Sequence, residues 1–129
     1  MVDATQHSQF KTTLDEETCV TYLLLSTRGR IIHTLRGLPT AVPTRICLIN
    51  GSLLFTGHEE IVEAAGRGDV LSVQVEDEQS EGATWSVVVT GRVSLAEAAQ
   101  IPPALVSTLE RGATLLALPL TVVYGQREA

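Results

Sequence analysis

The chain has 129 residues, of which 44% are hydrophobic and 19% charged, enough apolar material for one domain with a real core and too much for a disordered chain. Its net charge of −6 argues against nucleic acid or an anionic membrane as the main partner, since both need a basic face. No apolar run approaches the ~18 residues that span a bilayer, and the polar, acidic start lacks the pattern of a signal peptide, so a cytoplasmic protein is expected.

Residues 1–13 read as a flexible leader, and residues 14–129 as the domain. "LDEE", residues 14–17, opens a helix with acidic groups in its first turn. Cys19, Leu23 and Leu24 share one face of it. "RGRIIHTLRGLPTAVP" reads as strand, Gly-Pro turn, strand. "RICLINGSLLFT" carries the clearest local signal: two apolar runs flank Asn50-Gly51, a pair that tolerates the positive φ angles of a tight hairpin turn. Residues 44–49 and 52–56 should therefore pair antiparallel.

A short helix follows. Thr56-Gly57-His58-Glu59 matches a capping box, with Thr56 as N-cap and Glu59 three residues on. In "DVLSVQVEDE", Leu71, Val73 and Val75 alternate with Ser72, Gln74 and Glu76, as a half-buried strand requires. "TWSVVVTGRVSL" is a long strand in which Gly91 marks a bulge or bend. The stretch around Pro102-Pro103 holds one or two helices. "TLLALPLTVVYGQRE" closes with one strand, in which Pro119 signals an edge or a bulge. These elements sum to a mostly β (α+β) chain: a small antiparallel barrel of about six strands with short peripheral helices.

Motifs of chemistry are sparse. His7, His33 and His58 lack metal-ligand spacing, Cys19 and Cys47 read as buried thiols, and no metal site is expected. No nucleophile elbow, P-loop or dinucleotide fingerprint occurs, so no catalytic residue is assigned. Arg45 stands out as a cation in an apolar strand beside the hairpin. It is either an outward-facing surface charge or the group that meets an anion near the helix turn. Trp85, the one tryptophan, is a core or interface aromatic, or a flat wall for a planar ligand.

"GRIIHTLRGLPTAVPTRICLINGSLLFTG", "VLSVQVEDEQSEGATWSVVVTGRV" and "ALPLTVVYGQR" together resemble the pyridoxamine 5′-phosphate oxidase-like proteins, the flavin-binding split-barrel group. The resemblance covers about residues 14 to 127 and is densest at "EGATWSVVVTGRV". It implies a six-stranded split barrel, a homodimer, and FMN held at the dimer interface. By the same resemblance, Arg45 would meet the phosphate and Thr44 the ring through its backbone. Thr56 or Gly57, depending on a one-residue shift, would lie with His58 at the turn. Trp85 and Ser86 would contribute across the dimer. The lysine expected in the next helix is absent: its place falls near Ile61 or Val62, and Glu59 and Glu60 precede it. The resulting expectation is an FMN-binding protein, with flavin-dependent oxidoreductase activity as its catalytic form. Two alternatives stay open. One is a split-barrel dimer that has lost FMN and serves as a binding or structural module. The other is the same fold with a deazaflavin coenzyme or haem, His58 or His33 being the candidate haem ligand.

Overall fold

The computed structural model describes residues 11–78, 82–103 and 113–128. Two tight turns organise its first half. Arg36-Gly37 and Asn50-Gly51 each place two consecutive residues at positive φ, the backbone that joins twisted antiparallel strands with a two-residue loop. The second turn is the hairpin read from the sequence. It joins β3 (Leu38–Ile49) to β4 (Ser52–Thr56), with Ile46 opposite Phe55. The first corrects the expected Gly-Pro turn. The chain reverses one residue earlier, and Pro39 already lies in β3, opposite Thr34 of β2 (Arg28–Leu35).

Nine strands are present among the described residues, all paired antiparallel, against the six expected. They include β1 (Lys11–Thr13), β5 (Val70–Glu78), β6 (Thr84–Arg92), β7 (Ser94–Leu95), β8 (Leu115–Pro119) and β9 (Val122–Glu128). Their spatial order is β1-β9-β6-β5-β2-β3-β4-β8-β7. The extra strands have local causes. Pro119 has no N–H to continue a ladder and is the last residue of β8, so the single closing strand becomes two. β8 pairs with β4, whereas β9 pairs with β6. The chain thus passes from one end of the sheet to the other within a two-residue bend. Gly91 is an ordinary ladder residue opposite Leu71, and the break comes after Arg92. β1 adds to β9 from the stretch read as leader. β6 lies against β8, so the sheet curls upon itself into an open barrel. This is the expected class: mostly β, antiparallel and barrel-like, with helices outside.

The barrel interior follows from alternation. Leu71, Val73 and Val75 of β5 and Trp85, Val87 and Val89 of β6 point inward. They meet Ile31, Ile46, Leu53, Phe55, Leu116 and Leu118 in one core. Side chains such as Phe55 and Leu116 are almost fully buried and stabilise the fold by roughly 1.5–3 kcal/mol each. A smaller cluster, Leu54, Leu115 and Ala117, covers the opposite face of β4 and β8.

Helix α1 (Glu16–Leu25) starts at Asp15, whose carboxylate accepts the Thr18 N–H at 2.8 Å. Hydrogen bonding from Thr18, its side chain foremost and then its N–H, holds the Asp15 carboxyl below the usual aspartate value. Cys19 and Leu23 bury against the core, and Tyr22 stacks on Trp85 with ring centroids 4.2 Å apart. Leu24 does not share that face. It is 61% exposed, beside an exposed Leu25, because only a narrow stripe of this helix meets the barrel. Cys19 and Cys47 are free thiols, buried and half-buried respectively. The helices expected after Pro103 lie outside the described residues; before it, Ala98–Gln100 form one 3₁₀ turn.

Candidate functional site

β3 is paired on its two sides over different lengths. Residues 38–45 pair with β2, and residues 46–49 pair with β4. The exchange at Arg45 and Ile46 leaves a notch in the pairing, because β4 ends at Thr56 and, among the described residues, no strand pairs with that edge of β3 before Ile46. Thr44 closes the notch from one side: its hydroxyl donates to the Thr56 carbonyl at 3.0 Å. Gly57 then turns the chain toward helix α2 (Glu59–Arg67). A Cβ at Gly57 would lie 2.7 Å from Leu116 Cδ1 and 2.9 Å from Ile61, so this close approach needs glycine.

The capping box is not formed. Thr56 is still in β4, opposite Leu115, and the N-cap is His58, whose side chain makes no capping hydrogen bond. The His58 carbonyl instead accepts the N–H groups of Ile61 and Val62, each at 3.0 Å. Glu59 and Glu60 remain exposed in the first turn, where their charge suits the helix dipole. Ile61 is 1% exposed and packs into the core, which explains physically why no lysine stands there. Thr44, Thr56, Gly57 and His58 are thus neighbours at the notch, whereas Arg45, next in β3, turns its side chain to the opposite, exposed face beside Arg28.

Trp85 and Ser86 lie on β6, three strands from β3 in the sheet order. Trp85 is 7% exposed and covered by Tyr22, so its ring belongs to the core. Ser86 points the other way and sits opposite Glu76 of β5 and Gln126 of β9. His33 is buried, with Nε2 3.4 Å from Asp69 Oδ2. Arg67 grips the same carboxylate at 2.8 Å, and that contact foremost, with His33 adding to it, lowers the Asp69 carboxyl below its ordinary value. This trio ties β2 to the end of α2 and the start of β5. Among the described residues, no group of three or more His, Cys, Asp or Glu is placed to hold a metal ion. None of their helices is long and apolar enough to cross a membrane.

The sequence reading missed Arg28. The register set by the Arg36-Gly37 turn puts Arg28 directly opposite Arg45. Both are exposed, and side chains so paired share one face of the sheet. A cavity of about 230 Å³ opens beside Arg28, lined also by Gly29, Arg30, Pro43, Gln74 and Glu76; Arg45 is not part of its lining. Arg30 is neutralised by Glu76 at 3.0 Å. Placing the turn at Arg36-Gly37 and counting outward would have revealed the pair.

Comparison with known proteins agrees with this architecture. The family model described as pyridoxamine 5′-phosphate oxidase matches residues 15–118. No curated protein matches the sequence. Among solved structures, the FAD binding protein from Mycobacterium smegmatis is 24% identical, with a TM-score of 0.73 over 91% of this chain and 98% of that one. An FAD-binding protein from Mesorhizobium loti is 20% identical, with a TM-score of 0.72 over 92% and 97%. The FAD and heme binding protein from Mycobacterium smegmatis is 14% identical, with a TM-score of 0.69 over 92% and 73%. At such identities these likenesses concern the fold. With the family model spanning most of the chain and the split-barrel architecture in place, this protein belongs to the pyridoxamine 5′-phosphate oxidase family.

Proposed function

We propose that the protein binds a flavin, FMN in the first instance, at the notch between β3 and β4, and acts as a homodimeric flavin oxidoreductase. The observation that carries this reading is the Thr44 hydroxyl bound to the Thr56 carbonyl before Gly57, with Arg45 next in β3 and without a carboxylate partner among the described residues. The names of the compared structures, two FAD-binding proteins and one that binds FAD and haem, support it. In this assignment Arg45 meets the phosphate. Thr56, Gly57 and His58 border it, and the backbone at Thr44 approaches the ring. A bound flavin would supply the electron chemistry, while the chain binds it, orients it and excludes water. Trp85 is set aside from ring contact because Tyr22 covers it.

Support for a dimer comes from the outer face of the sheet. Val70, Val122 and Tyr124 are 55%, 59% and 53% exposed there, with Val88 half-buried opposite Tyr124. An apolar sheet face of this kind suits a second copy. Ser86 shares that face and is the residue through which a partner's flavin would be met.

The test is an absorption spectrum of the purified protein, repeated after adding FMN and desalting, with light scattering on the same sample. A retained flavin band and a dimeric mass are expected. A colourless protein after loading would overturn the flavin assignment. The second reading, a split-barrel module without FMN, would then stand; it is favoured by Glu59, Glu60 and the lack of lysine in α2.

A further inference from the structure

We propose that Arg28 is the second phosphate-binding cation of this site, gripping the ligand's phosphate together with Arg45 and replacing the lysine that α2 lacks. The inference rests on the flavin reading above but is carried by separate observations. Arg28 and Arg45 are directly opposite one another on β2 and β3. Side chains so placed have Cβ atoms about 4.5–5.5 Å apart, and like charges there repel. The chain carries 15 acidic residues against nine basic ones, so partners are plentiful. Yet among the described residues neither guanidinium makes a hydrogen bond or ion pair.

The neighbouring charges sharpen the point. Arg30 lies two residues from Arg28 and therefore on the same face. It is matched by Glu76. The carboxylate that lines the cavity, Glu76, is thereby engaged by Arg30, and among the described residues Arg28 makes no ion pair. Two guanidiniums on one face, neither paired among the described residues, form a pair of planar forks suited to phosphate oxygens. Bound phosphate would turn their mutual repulsion into attraction on both sides. The chemistry recognised is a phosphate ester, and two sources offer it: the single phosphate of FMN and the diphosphate of FAD.

The test uses the full chain, its R28Q and R45Q variants, and R127Q as an equal charge change on distant β9. Affinities for riboflavin, FMN and FAD are measured by titration, and thermal unfolding is followed with and without inorganic diphosphate. R28Q should weaken FMN or FAD binding about 10- to 100-fold, the loss expected for a charge-assisted contact. It should leave riboflavin binding unchanged and slightly raise the unfolding temperature of the ligand-free protein. Equal losses for FMN and FAD would assign the pair to one phosphate, whereas a larger loss for FAD would assign it to the diphosphate. Flavin binding that R28Q leaves intact overturns this inference while the flavin reading stands. Diphosphate stabilisation that needs Arg28, without flavin retention, upholds the anion pair and overturns the flavin reading. No response to any of these ligands overturns both.

Discussion

The two halves of β3 are built from one continuous strand and behave as different materials. Its second half, Ile46–Ile49, runs beside β4, and β4 and β8 are buried on both faces, by the main core and by the Leu54–Leu115–Ala117 cluster. Its first half, Leu38–Arg45, runs beside β2 and turns an outer face to solvent that bears Arg45, Pro43 and Ala41. The second half has no charge, while the open half carries Arg45, held beside the like charge of Arg28 on β2. The difference shows how one strand supplies both a rigid frame and a charged, accessible edge. The proposed site lies where the chain passes from one to the other.

The largest expected effect tests the rigid half. Phe55→Ala, opposite Ile46, should destabilise the fold by about 3–5 kcal/mol, as a fully buried aromatic is lost and a cavity remains. Denaturant unfolding measures it, and a loss below about 1 kcal/mol would mean that this half repacks freely. Gly57→Ala, at the boundary, should cost about 1–3 kcal/mol, because the new methyl group meets Leu116 and Ile61. A neutral result would show that the turn can shift away from β8.

The open half should respond in the opposite sense. Arg45→Glu, which creates an attractive pair with Arg28, should stabilise the ligand-free protein by roughly 0.2–1 kcal/mol. The same change should abolish retention of FMN after desalting. A variant that gains no stability would mean that the two side chains splay apart. The smallest effect concerns acid. Asp69 is lowered by Arg67 and by His33, so its contribution is present above the ordinary aspartate range and is lost as pH falls through the lowered value. Asp69→Asn should therefore flatten the acid limb of a stability–pH curve. An unchanged limb would place the acid sensitivity elsewhere, Asp15 being the next group to change.

Local signals were legible where the cause was local. Asn50-Gly51 marked its hairpin because few residue pairs accept two positive φ angles. The alternation in β5 marked the inner face because strand side chains repeat every two residues. Thr56 misled, since its capping pattern is real in the sequence but the ladder to Leu115 holds it in the strand. Leu24 misled because helical spacing shows which residues align, not how wide a stripe the barrel covers. Pro119 was noticed, and yet its effect, a change of sheet, depended on β6 lying within reach of the chain beyond it.

By itself, the sequence determined the class of the fold and the positions of one hairpin and one amphipathic strand, because turn chemistry and side-chain periodicity act between near neighbours; the family was legible separately, in the resemblance of whole segments such as "EGATWSVVVTGRV". The tertiary structure decided the partners. It set Arg28 against Arg45, Ile61 against Gly57 and Tyr22 against Trp85. These pairings depend on register and curvature, and register is set by a turn whose exact position shifts every opposing residue at once.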